Sequence, residues 1–379
     1  MIPDVHLKPW IFDKAAEIMR TGAADRALCL MDIPDDWGSE YDLDLYEETF
    51  DAAAGFLDRY PDTLWCYGNH DLSYLWQQPE SGFSAAAIPV VTKKLNELRE
   101  ALPDERQMAY IHRIDDVLFM HGGLTDAFVR YYASDVDYDD TDAVTERINS
   151  LGMMPMWDDA SPIWFRPLHS SEKMYREKDI LQVVGHTPVM QIDRRGSVVT
   201  CDLFSTYRSG GPIGTQEFLL IDTETWNYRG IGTDRSDLKI ELHRKGYNCG
   251  QIITALTGGA AGWDVTACEG LSDMCESCGE ICSTLKGGDY CINRYIRETT
   301  ARGHGVTAGE VYDALDVNEQ MEMMKASKDM SRQMYERFRE KNGSLFCSEL
   351  RTDNMAASCA KYVDDVTDIL EELFRDVRK

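Results

Sequence analysis

The chain has 379 residues, of which 43% are hydrophobic, and its 39 basic and 66 acidic side chains give a net charge of −27. This length and apolar content suit two folded domains. The acidic balance repels nucleic acids and anionic membranes, so we expect neither as a partner. The sequence has no long apolar run and no basic N-terminal region followed by an apolar one. We therefore expect a cytoplasmic protein.

Cysteine usage divides the chain more sharply than charge does. Three of the 11 cysteines lie in apolar, strand-like contexts, and the others crowd the last third: Cys249, Cys268, Cys275, Cys278, Cys282, Cys291, Cys347 and Cys359. An odd total in a reducing compartment favours metal binding or redox chemistry over a disulfide framework. We predict a first domain at residues 1–245 and a second at 246–379.

The first domain begins at a strand exit, Ile2 to His6, of which only three residues precede Asp4. Either the start codon is misassigned or this sheet edge is frayed. Apolar spacing then predicts helices at 10–20, 43–57 and 91–102 and strands at 26–32, 63–67, 108–114, 117–120, 180–184, 198–204 and 218–222. Residues 77–87 are expected to form a loop or cap, and the acidic segment 134–142 a solvated loop. This order predicts a sheet covered by helices.

Polar side chains stand at the ends of five of these strands. In chain order they are Asp4 with His6, Asp32, Asn69 with His70, His121, and His186. The carboxyl ends of strands are where α/β sheets bind ligands. Carboxylate, imidazole and amide oxygen suit two Mn, Fe or Zn ions, and one carboxylate can bridge them for in-line attack on phosphorus. A single strand-end histidine is more often structural, but five motifs in this order favour a metal site.

The motif Gly68-Asn69-His70-Asp71 is the most informative of the series. We expect Gly68 to form a sharp turn that aims the following side chains. Asp71 has no chemical role in this interpretation, and we expect it to cap the next helix or to bind the loop backbone.

Five motifs of the first 235 residues form a recognisable series: Asp4-Val5-His6, Asp32-Ile33-Pro34-Asp35, Gly68-Asn69-His70-Asp71, His121-Gly122-Gly123 and Gly185-His186-Thr187. This series resembles that of calcineurin-like metallophosphoesterases, and its His-Gly-Gly element favours the phosphoprotein phosphatase branch. The resemblance implies an α/β (α+β) sandwich of mixed sheets flanked by helices. It also implies one metal on Asp4, His6 and Asp32. The second would be held by Asp32, Asn69, His121 and His186.

The same resemblance implies hydrolysis of phosphate monoesters by a metal-bridging hydroxide, with a phosphorylated protein or a small phosphoester as substrate. His70 is then the candidate general acid, and Asp35 would orient it and raise its pKa. The alternative for Asp35 is a helix N-cap or turn residue.

Two positions depart from the phosphatase pattern. Met31 stands where the family usually has Gly, and Asp36 where it has Arg. The missing Arg removes a bidentate phosphate donor, and Arg166 is the candidate replacement, although it could equally cover Trp164 at the surface. A carboxylate at position 36 makes a large anionic substrate less attractive. Two other functions stay open, a decayed phosphatase serving as a redox or metal sensor or binding protein, and a nucleotide or dinucleoside polyphosphate hydrolase.

The last third carries a different set of motifs: Gly246-Tyr247-Asn248-Cys249, Cys278-Gly279, Gly343 to Leu350 around Cys347, and Cys359. They resemble the small helical family named for its C-GCAxxG-C-C cysteine pattern, which is proposed to be redox-active. The resemblance implies a small all-α, Cys-rich domain. The block Cys278-Gly279-Glu280-Ile281-Cys282-Ser283 lacks the usual Ala and second Gly.

These cysteines are compatible with three roles. They could hold zinc or an iron–sulfur cluster, cycle between dithiol and disulfide with a redox partner, or pack as small buried hydrophobes. The sequence does not choose between these roles. The candidates are Cys249, Cys275, Cys278, Cys282, Cys347 and Cys359.

Overall fold

The computed structural model describes residues 1–208, 211–232, 239, 242, 247–261, 281–350 and 355–377. The chain divides into two compact units, residues 1–206 with 213–233 and residues 207–212 with 234–379. The sequence did not predict that residues 207–212 belong to the second unit. Within the described ranges, every helix is too short or too polar to cross a membrane.

Three sheets form the first unit. The first is parallel and contains β1 (Leu28–Cys29), β2 (Leu64–Cys66) and β3 (Met108–Ala109). The second is mixed and contains β4 (Ile111–Ile114), β5 (Val117–Met120), β6 (Leu181–Pro188), β7 (Asp193–Arg195) and β8 (Val198–Asp202), in the order β4-β5-β6-β8-β7. The third pairs β9 (Glu217–Ile221) with β10 (Tyr228–Gly232) in antiparallel register.

Seven helices flank these sheets in the described part of the unit: α1 (Trp10–Arg20), α2 (Leu43–Arg59), α3 (Asn69–Trp76), α4 (Ile88–Glu100), α5 (Asp126–Tyr132), α6 (Thr141–Asn149) and α7 (Met153–Met156). Two 3₁₀ turns, Glu105–Gln107 and Pro167–His169, complete it. The mixed sheets and flanking helices predicted from the sequence are confirmed. Helix α6 was missed, and its N-cap, Asp140, belongs to the acidic stretch expected to be a loop.

The predicted hairpin at 108–120 is divided between two sheets. Residues 108–109 join the first sheet, whereas β4 pairs with β5 in the second. The break lies at Tyr110, where the Asn149 side chain accepts the N–H groups of Tyr110 and Ile111 at 3.1 and 2.9 Å. A side-chain amide therefore replaces the ladder partner that these buried groups require.

The N-terminal edge is paired with the first sheet. Ile2 bridges Cys29 in parallel register and is buried, and the N–H groups of Val5 and His6 bond to the carbonyls of Met31 and Asp32 at 2.9 and 2.8 Å. Asp4 and Asp32 are consequently carried on adjacent backbone segments.

Aromatic side chains dominate the core beside the first sheet. The Phe12 ring lies 5.9 Å from Phe56 and 6.1 Å from Trp65, measured between ring centroids, and all three side chains are fully buried. This packing anchors α1 and α2 against β2, because aromatic side chains bury the largest apolar areas.

The second unit is helical in its described residues, as predicted. Its helices are α8 (Cys249–Ala261), α9 (Ser283–His304), α10 (Val311–Ala314), α11 (Val317–Asn342), α12 (Cys347–Leu350) and α13 (Met355–Val377). Tyr295 of α9 stacks on Phe374 of α13 with centroids 4.0 Å apart. Helices α8 and α9 meet at two glycines, since a Cβ on Gly287 would lie 2.5 Å from the carbonyl oxygen of Gly250. This close approach requires Gly287 to lack a side chain, and a Cβ on Gly250 would lie 2.9 Å from the carbonyl oxygen of Ser283 in α9.

Candidate metal centre

The strand ends of the first unit converge as the sheet register requires. Met120 of β5 lies opposite Val184 of β6, so the residues that follow are neighbours, and Gly185 N–H bonds to His121 O at 2.9 Å. The ring centroids of His121 and His186 are 5.0 Å apart. Parallel pairing therefore brings together two imidazoles that are 65 positions apart in the chain.

Two groups of potential ligands share one carboxylate. His6, Asp32 and His70 form the first group, and Asp32, His121 and His186 form the second, with ligand atoms in each group within 4.8 Å of one another. Asp32 belongs to both, which is the arrangement that a bridging carboxylate needs. His70 was predicted as an acid rather than a ligand, but it is itself a member of the first group.

Asn69 and Asp4 complete the predicted set. The Asn69 Oδ1 atom lies 2.9 Å from His121 Nε2, which is also 3.1 Å from Asp32 Oδ2. Asp4 accepts the His186 N–H through Oδ2 at 2.7 Å. Five of the six predicted ligands line one cavity of about 220 Å³, namely Asp4, His6, Asp32, Asn69 and His186.

Among the buried cavity-lining atoms that lack hydrogen-bond partners are Asp4 Oδ1 and His186 Nε2. A buried polar atom without a partner is costly unless something satisfies it. Both atoms are donors that divalent transition metals accept, and the surrounding carboxylates and imidazoles are of the same type. The residues present therefore fit a pair of divalent cations.

Burial controls the protonation of the His6 and His186 imidazoles. It lowers the pKa of His6, and it lowers that of His186 well below the ordinary value, with the neighbouring charge of His121 adding to the effect. Both side chains are neutral at physiological pH. The neutral imidazole is the form that binds metals.

His121 and Asp32 behave in the opposite way. Burial disfavours the charged form of His121, but the carboxylates of Asp32 and Asp4 outweigh it and raise its pKa to about 9. Burial also opposes ionisation of Asp32, yet the charges of His121 and His70 hold the pKa of that carboxyl well below its usual range. A cation that binds here has to displace the His121 proton.

Gly68 and Gly185 leave room for the carboxylates. A Cβ on Gly68 would lie 1.9 Å from Asp32 Oδ1, and a Cβ on Gly185 would lie 2.0 Å from Asp4 Oδ1. Gly68 has extended backbone angles, φ −93° and ψ 172°. Gly68 lies between β2 and α3 as the N-cap of that helix, and it is required there for space.

The backbone at the strand ends is locally left-handed. Five non-glycine residues beside the cavity have φ between 41° and 59°: His6, Leu7, Met31, Asp32 and His186. This region favours glycine and costs other residues energy. Met31, with φ 56°, occupies the position where the family pattern has Gly. The conformation is thus retained without the residue that adopts it most easily.

Asp71 connects two strand ends through the backbone. Its carboxylate accepts the N–H groups of Asp32 at 2.9 Å, Ile33 at 3.1 Å and Gly68 at 3.0 Å. The structure therefore agrees with the structural role expected for Asp71. It positions Asp32 relative to the Asn69-His70 motif.

His70 and Asp35 form a directly bonded pair. His70 Nδ1 lies 2.9 Å from Asp35 Oδ2, while Asp35 Oδ1 accepts the hydroxyls of Tyr46 and Tyr74 at 2.7 and 2.5 Å. The N-cap of α2 is Asp42, so Asp35 does not cap that helix. Burial opposes the imidazolium of His70, but the charges of Glu80 and Asp32 and the Asp35 hydrogen bond raise its pKa to about 10.

Comparison with known families agrees with this geometry. The model of the calcineurin-like phosphoesterases matches residues 1–207, more than half of the chain. The chain belongs to the calcineurin-like phosphoesterase family. A second model, described as "Putative redox-active protein (C_GCAxxG_C_C)", matches residues 247–373 of this phosphoesterase. No curated protein matched the chain.

Solved structures similar to the phosphoesterase include two of a cold-active protein tyrosine phosphatase. One, from a psychrophilic Shewanella species, is 17% identical with a TM-score of 0.35, and the match covers 54% of this chain and 69% of that one. The other, solved at 1.1 Å, is also 17% identical with a TM-score of 0.33, covering 54% and 67%.

Position 36 is electrostatically balanced in this phosphoesterase. The ammonium of Lys8 lies 3.2 Å from Asp36 Oδ2, with both side chains almost fully buried, and it also donates to His6 O at 2.9 Å. Thr206 donates its hydroxyl to the same carboxylate. A buried cation therefore neutralises the carboxylate that was expected to make a large anionic substrate less attractive.

Arg166 lies at the cavity and is exposed, and its Nη1 donates to the carbonyl oxygen of His186 at 2.8 Å. That bond places the guanidinium next to a predicted ligand. The neighbouring Trp164 also lines the cavity and packs edge-on against the His186 ring at 5.5 Å. Both alternatives stated for Arg166 remain compatible with this position.

Three residues beside the centre were missed from the sequence: Lys8, Glu80 and Asp202. Asp202 ends β8 and lines the cavity, so the strand-end rule could have found it. Glu80 lies in the segment expected to be a loop or cap, and Lys8 follows a predicted ligand by two residues. No sequence pattern marks either of them, because their partners are distant in the chain.

A bridge between Ile281 and Phe346 brings two of the predicted cysteine segments together in the second unit. Cys282 N–H bonds to Leu345 O at 2.9 Å, and Cys347 follows the bridge on the other side. Burial raises the pKa of the Cys282 thiol, with the nearby Cys347 and Cys359 adding to the shift. Cys249 begins α8. Cys275 and Cys278 lie outside the described residues.

We predict that Gly68→Ala and Gly185→Ala each weaken divalent metal binding by at least about tenfold. Even the loss of a residue that only hydrogen-bonds a metal ligand lowers metal affinity by about 10–100-fold. The added methyl groups would overlap Asp32 and Asp4. Titration calorimetry with Mn²⁺ measures the effect.

Gly55→Ala in α2 is the matched control, because nothing lies within 4 Å of its added methyl group. It should bind Mn²⁺ normally and unfold at a slightly higher temperature. Normal binding by both cavity variants would contradict the steric role of the glycines.

Proposed function

We propose that the phosphoesterase domain is a dimetal-dependent phosphomonoesterase. The observation that carries this proposal is that Asp32, which lines the cavity, belongs to two ligand groups. Asp4, His6 and Asp32 would hold one Mn, Fe or Zn ion. The second ion would be held by Asp32, Asn69, His121 and His186. Bound there, the cations would activate water for in-line attack on phosphorus and neutralise phosphoryl charge.

The residues of this chain would then orient the ester and supply a proton. His70 lines the cavity, and its raised pKa keeps it protonated at neutral pH, so it can donate to the leaving oxygen. The Asp35 hydrogen bond holds the ring in place. Arg166 at the exposed side can donate to phosphoryl oxygens as the ester enters.

The cavity favours a small reacting group. Its volume of about 220 Å³ is below the roughly 300–1,000 Å³ of pockets that enclose a whole drug-sized ligand. A phosphoryl group with the first atoms of its ester fits this size, while the rest of the substrate stays outside. This size suits a phosphoryl group presented by a phosphorylated protein or by a small phosphoester.

We predict that the wild-type chain binds two divalent ions and hydrolyses p-nitrophenyl phosphate. Asp32→Asn should lose metal and at least about 100-fold of kcat/KM, because it removes the shared ligand and outer partners alone cost up to about 100-fold. Metal analysis and turnover with Mn, Fe and Zn measure both quantities.

Asp44→Asn on the exposed side of α2 serves as the control. A wild-type chain that shows no turnover with any of these ions would favour the rival function, a non-catalytic sensor or binding protein.

We predict that His70→Asn affects alkyl and aryl esters differently. An alkoxide needs a proton to leave, so hydrolysis of glycerol phosphate should fall by about 10²–10⁴-fold. p-Nitrophenolate leaves without protonation, so its ester should lose much less. Steady-state kinetics with the two substrates gives the ratio.

His169→Asn, at an exposed 3₁₀ turn, is the control and should change neither rate. Equal losses with both esters would contradict the general-acid role of His70.

For the second domain we propose a redox or metal-binding role, supported by the family match and by the nearby Cys282 and Cys347. We expect either a visible absorption spectrum or bound zinc after anaerobic purification, or else a disulfide that forms reversibly on mild oxidation. Thiol titration before and after oxidation, with mass spectrometry of the peptides, separates these outcomes. A colourless, metal-free protein whose thiols react independently would contradict both roles.

A further inference from the structure

Glu80 is a buried carboxylate beside the metal centre that the mechanism above does not use. It lies between α3 and α4, and its side chain is 9% exposed. With Ser81 and Gly82 it forms part of the cavity lining. A carboxylate in such a position costs free energy to bury, so its contacts have to compensate for lost hydration.

The first contact is with the side chain of Asn69. Asn69 Nδ2 donates to Glu80 Oε2 at 2.6 Å. Because a carboxylate oxygen accepts this hydrogen bond, the NH₂ end of the amide is the end held at Glu80. The Asn69 oxygen is thereby directed the other way, where it lies 2.9 Å from His121 Nε2. Metal ions bind the amide oxygen and not the NH₂ group.

The second contact is with the neighbouring residue of the motif. Glu80 Oε1 lies 3.8 Å from His70 Nδ1 and has no hydrogen-bond partner of its own. His70 Nδ1 is already bonded to Asp35 at 2.9 Å. The two oxygens of one carboxylate therefore face consecutive residues, a predicted ligand and the predicted acid.

We propose that Glu80 is a positioning residue of the metal centre, which holds the Asn69 amide with its oxygen toward the second cation. This inference rests on the proposed function, because Asn69 is a metal ligand only in the proposed dimetal centre. Without an acceptor at Glu80, the amide can rotate and present NH₂ to the cation, which removes a ligand. The affinity for the metal then depends on a residue that does not touch it. This is general for residues that hydrogen-bond a metal ligand.

The test compares Glu80→Ala and Glu80→Gln with the wild-type chain by Mn²⁺ titration calorimetry and metal analysis. Glu80→Ala should weaken one of the two Mn²⁺ equivalents by about 10–100-fold and leave the other within about threefold. Glu80→Gln retains a carbonyl oxygen that can accept from Asn69, so it should recover most of the lost affinity. Gln78→Ala, two residues away in the same segment, should bind both ions as the wild type does.

Three results would overturn the proposal. Glu80→Ala binding both ions like the wild type removes the positioning role and leaves the dimetal function intact. Equal loss of both equivalents in the Ala and Gln variants, together with a lower Tm of the metal-free protein, indicates a structural role alone. A wild-type chain that binds no Mn²⁺, Fe or Zn overturns the dimetal function, and the role of Glu80 falls with it.

Discussion

Several carboxylates are buried together at the strand ends of the first unit, and most of the local structure compensates for their charge. Asp4, Asp32, Asp71 and Asp202 are each at most 2% exposed. Asp71 is satisfied by three backbone N–H groups, and Asp32 by His121 and by the His70 N–H. Asp4 keeps one oxygen without a partner. Burial raises the pKa of the Asp4 and Asp202 carboxyls, so a cation bound in the cavity would stabilise their charged forms.

Much of this centre could be predicted because its ligands lie at the ends of strands or just beyond them. The strand-end positions of Asp32, Asn69, His121 and His186 are local features of the sequence, and parallel pairing does the rest. Lys8 and Glu80 could not be found in this way. Their roles depend on contacts with Asp36, which is 28 positions away, and Asn69, which is 11 positions away inside a different local structure. Such pairs leave no periodic pattern.

Helices were predicted best where one apolar face packs against the core. Helices α1 and α2 have one apolar face each, and the predicted bounds of α1 agree with the structure. The strand predicted at 108–114 was wrong as a single element, because Asn149 interrupts its ladder from a helix that sequence periodicity did not reveal. In the second unit the helices were predictable, but the bridge between Ile281 and Phe346, next to Cys282 and Cys347, joins two segments about 65 residues apart.

Met31 shows what a family motif records. The backbone at this position is left-handed, with φ 56°, and the side chain is completely buried in the core that also contains Ile2 and Val5. A pattern search that demands glycine here would reject the chain, although the geometry that glycine serves is present. Glycine is the residue that adopts this left-handed conformation at the lowest energy. A bulky residue can adopt it too when its packing in the core offsets the backbone strain. A substitution within a family motif can therefore change the stability of a site while leaving its chemistry intact.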